Sequence, residues 1–559
     1  MPVETTYPGV YIEELPSANH AVTPAPTSVT VFIGYSNPFW EISGVPKRES
    51  PPFGSAVEIH SFAEYEAAFG GFFYSPWVPD YLGQAVFQFF LNGGATAYVV
   101  ALKAEKYVAT KKGKETEVAV KPATAALGKA GTLITLNALQ PVGAPASSES
   151  PQLGLLMTIT VSHPTKVPYI NAKGVEEQVE GADLVLEYGG TVETYRQLAI
   201  TEVVRALNQR SRLVSAVPTG ELTTFEAEGK LLSAGPLVLK LTTEPEAETS
   251  WAQKPEPSAF HAALAVNASL DKVPIFNLMA LPGITSSATL AEALAYCERK
   301  RAFFIMDPPD NTVADSEAQH LATAPAGSEQ IKEYWNGKTP PVSANGAIYF
   351  PYLQITNPVT GAAATSPPSG FVAGVFAKED ANRGVWKSPA GLETTILGTA
   401  GVVAWGAMTD PQQGALNPLG INCIRTFPGM GTVVFGARTL VSDNPAQEQW
   451  KYVGVRRMAL FLEQSLYASL RWAIFEPNAT PLWRALTQEV EAFMLGLFRQ
   501  GAFEGNSADE AFTVQCDDKT TTQADIENGV VNLLVGFAPL RPAEFVVVQI
   551  QQQAGQAPS

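Results

Sequence analysis

The chain has 559 residues, of which 46% are hydrophobic, 10% aromatic and 16% charged. That length corresponds to about three or four domains with ample apolar material for their cores, and the low charge points to surface covered by other chains. The 37 basic and 54 acidic residues leave a net charge of −17, which repels phosphate and excludes a broad nucleic acid surface.

The N-terminal stretch MPVETTYPGVYIEELP carries neither the basic nor the apolar region of a cleaved secretion signal. Turn chemistry at Tyr7-Pro8-Gly9 leads into Val10-Tyr11-Ile12-Glu13-Glu14, which favours a short strand. Pro16, Pro24 and Pro26 then exclude a helix or a central strand. A lone strand on an extended tether is unstable by itself. It must pair with a sheet edge, in its own domain or in a neighbouring chain.

Residues 29 to 102 begin a folded unit. Val29 to Tyr35 reads as an apolar strand. Ser61 and Glu64 form a capping box for a short helix that stops at Gly70. Tyr81, Leu82, Ala85, Val86, Phe89 and Phe90 recur at helical spacing up to Asn92-Gly93-Gly94. Thr96 to Leu102 reads as the next strand. Residues 103 to 265 are richer in Lys, Glu and Thr, with strands at 132–138, 154–162, 183–188 and 236–242 and one helix over about 192–209. Charged loops with alternating strands fit an inserted α+β domain exposed on one sheet face.

The core style returns at Ile275 to Leu281 (strand), Leu290 to Arg301 (helix) and Ala302 to Met306 (strand), a βαβ unit that implies parallel pairing and a right-handed crossover. Gly346 to Leu353 adds a strand, and 310–340 reads as a polar loop. Residues 447–456 read as a strand before a helix carrying Met458, Leu462, Leu466, Leu470 and Ile474. Thr480 caps a second helix, with Pro481 at its first position, Trp483, Leu486, Val490, Phe493 and Leu497 on its packing face and Gly501 at its end. Ser507 and Glu510 form another capping box, and Phe512–Asp517 and Val530–Ala538 read as strands. Phe545-Val546-Val547-Val548-Gln549-Ile550 follows Pro539 and Pro542 as a second tethered strand. No window reaches the roughly 18 apolar residues of a membrane-spanning helix, so direct membrane insertion is not expected.

Chemistry is sparse. Gly337-Lys338-Thr339 has the tail of a phosphate loop, but Lys332 stands where its first glycine belongs and Pro340-Pro341 block the helix. Gly429-Met430-Gly431 precedes a strand and reads as a tight turn. Cys297, Cys423 and Cys516 are widely separated and read as buried thiols of a chain folded in a reducing compartment. The five histidines, His20, His60, His163, His261 and His320, have no spaced partner for a metal. No catalytic residue, cofactor or metal site is expected. Arg425, Arg438, Arg456 and Arg457 lie beside aromatic and Gly-rich segments. They serve either ion pairs between subunits or pairs within the chain to Glu463, Glu476 or Asp443.

The motifs YPGVYIEE, FLNGGATAYVVAL, PPSGFVAGVFAKEDANRGVWKSPAG, LNPLGINCIRTF, WKYVGVRR, FEPNATPLW and GFAPLRPAEFVVVQI occur in an order that resembles the sheath proteins of contractile phage tails and related injection systems. The match covers about 1–100 and 270–550. The expected fold is a multidomain mix of α/β and α+β. An α/β core is built from N- and C-terminal segments, with an inserted, β-rich outer α+β domain and extended terminal strand arms. The boundaries are an arm at 1–28, core at 29–102, insert at 103–265, main core at 266–538 and an arm at 539–559.

The resemblance implies a mechanical, non-enzymatic subunit that stacks in hexameric rings around an inner tube and contracts to drive the tube through a cell envelope. Implied partners are other copies of the chain, the inner tube protein, baseplate and terminal cap proteins and a second sheath paralogue. Assembly would occur in the bacterial cytoplasm, into a virion or tail-like particle. Strand exchange is expected of Val10, Tyr11, Ile12, Glu13 and Glu14 and of Phe545, Val546, Val547, Val548 and Ile550, with the Pro-rich tether at 16–27 as a hinge. Arg484, Glu489, Glu491 and Arg499 are candidate tube contacts, a solvated helix face being the other reading. An adhesin acting through the insert is the competing function.

Overall fold

A computed structural model describes residues 21–37, 40, 52–74, 79–102, 107–111, 114–118, 122–129, 132–140, 142, 155–170, 174–241, 250–252, 257–308, 341–403, 407–442 and 444–549. Two compact units divide the chain. The larger takes Thr27–Arg383 and Ser388–Arg456, the smaller Met1–Pro26, Gly384–Lys387 and Arg457–Ser559.

The larger unit is built on an eight-stranded sheet in the order Ala56–Ile59, Ala97–Leu102, Thr30–Tyr35, Leu278–Ala280, Phe303–Met306, Gly346–Phe350, Ile421–Phe427, Gly431–Val434. The six inner strands are parallel, and each edge strand is antiparallel to its neighbour. Parallel strands bury both faces, so apolar residues run on without a polar gap. Val31 and Ile33 turn to one face with Phe304, Met306 and Ile348, and meet the helices Pro257–Leu264 and Ser287–Lys300 through Phe260, Leu264, Leu290 and Cys297. On the other face Phe32 meets Phe89 edge-on at 5.5 Å, and Phe303 and Tyr349 meet Phe376 at 6.4 and 6.0 Å.

Phe89 and Phe376 belong to the helices Tyr81–Leu91 and Ser369–Arg383. These two helices approach so closely that Gly370 lies on the backbone of Ala85, and Gly374 on Phe89 and Asn92. Only a residue without a Cβ permits that spacing. Asn92 adds a polar tie: its side chain accepts from the Leu397 N–H at 2.7 Å and donates to the Leu397 carbonyl at 3.2 Å.

Within the same unit, the inserted segment has its own core of Leu127, Leu136, Ile159, Leu184, Leu186, Val203, Leu207, Val214 and Leu239. Its four-stranded antiparallel sheet runs Thr191–Ala199, Glu176–Tyr188, Met157–Ile170, Leu237–Leu241, and a three-stranded sheet runs Val214–Pro218, Ile134–Ala138, Thr124–Leu127. The insert is tied down by Asn37 donating to the Leu139 carbonyl at 2.8 Å, Tyr188 donating to the Tyr74 carbonyl at 3.2 Å, and Val359 buried in its core.

Several local expectations change. The helix expected over 192–209 is a strand, Thr191–Ala199, followed by a shorter helix, Val203–Arg210. Gly189-Gly190 makes a two-residue hairpin from the preceding strand, which wins over the helical spacing. The strand expected at 447–456 is a 3-10 turn, Pro445–Trp450, and the start of the helix Val453–Ser469. Its β-branched Val453 and Val455 are buried as helix side chains. Pro351 interrupts the strand expected at 346–353: Gly346–Phe350 stays in the large sheet, and Leu353–Thr356 is a separate strand in a three-stranded sheet. Gly429-Met430-Gly431 is the turn of a hairpin. The polar loop at 310–340 lies outside the described residues.

In the smaller unit, the helix Thr480–Arg499 packs Val490, Phe493, Met494 and Leu497 against Met458, Phe461 and Leu462, with Trp386, Phe512, Val535 and Phe537 around them. Its N-cap is Ala479 rather than Thr480, with Pro481 in the first turn. Gly501 follows its end at φ +77, and Val530–Ala538 contributes only Leu534–Phe537 as strand.

Candidate functional site

Two buried carboxylates of the larger unit serve as helix caps. Asp307, at the carboxyl end of Phe303–Met306, stands where open α/β sheets bind ligands. It is buried and accepts from Ser369 N and Oγ, each at 2.7 Å, and from Gly283 N at 2.9 Å. It therefore caps the helix Ser369–Arg383. Burial pushes its carboxyl up to about 6, against the pull of those donors. Asp80 caps Tyr81–Leu91 in the same way, accepting from Gly83 N at 2.9 Å and Phe73 N at 3.1 Å, and burial raises it to about 7. All three cysteines are buried, and burial raises each thiol. Among the described residues no group of three or more His, Cys, Asp or Glu could hold a metal, and no helix is long and apolar enough to cross a membrane.

Arg425, Arg438 and Arg456 find partners inside the chain. Arg425 pairs with Asp410 at 2.6 Å, bonds Gln413 and stacks on Phe427 at 4.9 Å. Buried Arg438 donates to the Asn417 carbonyl at 3.0 Å. Arg456 donates to Asn345 at 3.0 Å and lies over Trp450 at 4.8 Å. Arg457 is buried. These are packing arginines, and Asp410 was missed because its partner is distant until the strand Ile421–Phe427 lies beside its helix.

The two ends of the chain offer a different kind of site. Phe512–Gln515 and Leu534–Phe537 form a two-stranded antiparallel sheet with register Phe512↔Phe537 to Gln515↔Leu534. Each strand has an outer edge with no strand beside it among the described residues. Such edges present unpaired N–H and C=O groups. Just past it, Ala538 N bonds the Ala511 carbonyl at 2.8 Å and Glu504 N bonds the Ala538 carbonyl at 3.0 Å. Phe545, Val546, Val547 and Val548 then extend with 75%, 83%, 81% and 75% exposure and pair with no strand among the described residues. Ile550 and the whole of Val10, Tyr11, Ile12, Glu13 and Glu14 lie outside the described residues.

The tether expected to be a hinge is fixed over its described part. Thr23 N donates to Ser469 Oγ at 3.0 Å and Ala25 N to Ser465 Oγ at 2.9 Å. Val22 and Ala25 are buried in the core of the smaller unit. The arm's root is therefore part of that unit, held by two hydroxyls one helical turn apart. Of the four charged residues proposed for a tube contact, Glu489 accepts from Trp472 Nε1 at 3.1 Å and is half-buried. Arg484, Glu491 and Arg499 are exposed on Thr480–Arg499.

Comparison with known proteins bears on this arrangement. A profile of the phage tail sheath protein central domain matches residues 261–440, and one of the phage tail sheath C-terminal domain matches residues 446–553. A prophage major tail sheath protein of Pseudomonas aeruginosa is 28% identical over 295 residues, covering 51% of this chain and 68% of that protein. The tail sheath protein of Vibrio phage KVP40 is 19% identical over 53% of this chain, and the match spans 42% of that protein. Among solved structures, a chain of the anti-feeding prophage baseplate aligns over 98% of this chain and 100% of its own length, with a TM-score of 0.54 and 22% identity. A chain of the contracted sheath complex of an extracellular contractile injection system aligns over 99% of each, with a TM-score of 0.52 and 21% identity. These chains share the mixed α/β multidomain fold.

Proposed function

The chain belongs to the phage tail sheath family and is a contractile sheath subunit, and on that premise we propose that its copies are tied together by exchange of their terminal strands. Phe545 to Val548 and Ile550 of one copy add to an open edge of the Phe512–Gln515/Leu534–Phe537 sheet of another, and Val10 to Glu14 add likewise. The observation that carries this is the run of four exposed apolar residues beyond a two-stranded sheet that has no further strand on either side among the described residues. Strand addition satisfies backbone groups on both chains at once. The N-terminal arm lies upstream of Val22, the first buried residue of the anchored stretch among the described residues.

The copies stack as hexameric rings around an inner tube, on a baseplate and beneath a terminal cap, and a second sheath paralogue can share the array. They assemble in the bacterial cytoplasm in an extended packing. They then rearrange to a shorter one of lower free energy and push the tube through a target envelope. The role is mechanical, with no catalytic step: a small gain per copy, summed over the array, does the work. Exposed Arg484, Glu491 and Arg499 face the tube in this reading, while Glu489 supports their helix through Trp472.

The test is a pair of truncations, one lacking residues 1–14 and one ending before Phe545. Each is expected to yield a folded, soluble chain that forms no contractile sheath when produced with its neighbouring genes. Intact particles that contract normally, seen by electron microscopy from either truncation, would refute strand exchange by that arm.

A further inference from the structure

The two anchors of the proline-rich tether give it a direction. Ala25 N donates to Ser465 Oγ at 2.9 Å and Thr23 N to Ser469 Oγ at 3.0 Å, and Ser469 Oγ donates back to the Thr23 carbonyl at 3.4 Å. From Ser465 to Ser469 the helix Val453–Ser469 advances by about 6 Å. An extended chain covers about 6.6 Å from Ala25 back to Thr23. The tether therefore runs along this helix, antiparallel to it. Val22, the next residue upstream, is still buried in the core of the smaller unit. Upstream of Val22 the chain heads for the carboxyl end of the helix.

At that end stand Ile474 and Phe475, just past the 3-10 turn Leu470–Ala473, with 61% and 101% exposure. Phe475 lies at φ +74, the left-handed region that a residue with a Cβ disfavours. The turn is braced from below. Ile474 N bonds the Arg471 carbonyl and Glu476 N the Ala473 carbonyl, each at 3.2 Å. Trp483 Nε1 donates to Asn478 Oδ1, and Asn478 Nδ2 to the Val530 carbonyl, each at 2.9 Å. A large aromatic held in water on a strained but braced turn is apolar area prepared for a cover.

We infer that residues Leu15 to His20 of the same chain are that cover. The 3-10 turn adds about 8 Å beyond Ser469, a distance that about three to five extended residues upstream of Thr23 span. Ala18 to His20 thus come level with Ile474 and Phe475, and Leu15 and Pro16 supply apolar surface just past them. The contact lies within one copy because the covering segment is already anchored on the same helix, whereas a segment of another copy must first give up its freedom. Val10 to Glu14 then leave the subunit from Phe475 and not from Val22. The cover forms with or without strand exchange by those residues.

The test uses the full chain, kept dilute and unassembled. Phe475→Gly suits the left-handed turn and removes the ring. Hydrogen exchange at 17–20 should become roughly tenfold or more faster than in the parent, the effect of losing an anchor residue, while exchange at 480–499 stays parental. Phe475→Tyr keeps the ring and should keep the parental rate at 17–20. Ala18→Cys combined with Phe475→Cys should oxidise to a disulfide within one chain, found in the monomer by peptide mass spectrometry, the native thiols being buried. Parental exchange at 17–20 in Phe475→Gly, or no disulfide in the double variant, would overturn the inference. So would a disulfide that forms equally well between chains carrying the two single variants, which would make a second copy the cover. Failure of the chain to form contractile particles strikes the sheath reading and leaves all these readouts unchanged.

Discussion

Replacing Gly370 with alanine tests whether the two interlocked helices of the larger unit are held at their spacing by glycine. A Cβ at Gly370 falls 2.4 Å from the Ala85 Cα, 2.6 Å from its carbonyl oxygen and 2.8 Å from its carbonyl carbon. All three atoms are backbone of Tyr81–Leu91, so no side-chain rotation relieves the clash, and the helices must part by about 1 Å to restore ordinary contact. Overpacking of this kind costs about 1–3 kcal/mol, and here the upper end applies because Phe89, Phe376 and the Asp307 cap on Ser369 all shift with the helices. Alanine regains about 1 kcal/mol of helix propensity over glycine, which leaves a net loss of about 1–2 kcal/mol. Gly496, inside Thr480–Arg499, is the control: nothing lies within 4 Å of its Cβ position, so Gly496→Ala keeps the propensity gain of about 1 kcal/mol. Urea unfolding gives the sign. Hydrogen exchange locates it, with faster exchange at 81–91 and 369–383 in Gly370→Ala and slower exchange at 480–499 in Gly496→Ala. A Gly370→Ala chain as stable as the parent, or more so, would refute the close-packing argument.

Two further outcomes follow from the same unit. Asp307 has a folded-state carboxyl raised to about 6 from 3.8, mainly by burial. The stability it confers is thus present below the unfolded value and is lost as pH rises through the folded one. Asp307→Asn should abolish that loss, so the parent-minus-variant stability difference should fall by about 2–3 kcal/mol between pH 4 and pH 7. A flat difference by urea unfolding at each pH would contradict it. Asn92→Ala strips the Leu397 N–H and carbonyl of their partner at once. A loss of about 2–3 kcal/mol is expected, read as a lowered urea midpoint and faster exchange at Leu397, and an unchanged midpoint would count against the tie.

Much of the fold was legible because its signals are local. Ser61 accepts from Glu64 N as a cap should, and Gly70 ends that helix in the left-handed region. The βαβ unit from Leu278 to Met306 is parallel as its connection requires. The errors are also instructive. At 192–199 the spacing of Tyr195 and Leu198 looked helical, but Gly189-Gly190 turns the chain back into a ladder that only the partner strand makes visible. At 453–456 two valines favoured a strand, yet that stretch is buried as the first turn of a helix.

For the proposed strand exchange, the sequence pattern marked the candidate arms and not the sheet edge that would receive them. Phe545 to Val548 read as an apolar strand after two prolines, a judgement that needs only the chain's own chemistry. That Phe512–Gln515 and Leu534–Phe537 pair with each other, with no further strand beside them among the described residues, depends on residues far apart in sequence. Likewise the proline pattern at 16–27 showed an extended segment, but its fixing over 21–26 comes from Ser465 and Ser469.

The sequence by itself determined the family, the parallel sheet and the absence of any catalytic motif, since turn chemistry, apolar periodicity and ordered motifs are written along the chain. Only the tertiary structure decided which glycines are close-packed, which carboxylates are buried caps, and where Phe475 stands exposed. Burial and proximity are set by which distant segments meet, and the free energy of a group depends on that surrounding more than on its neighbours in sequence.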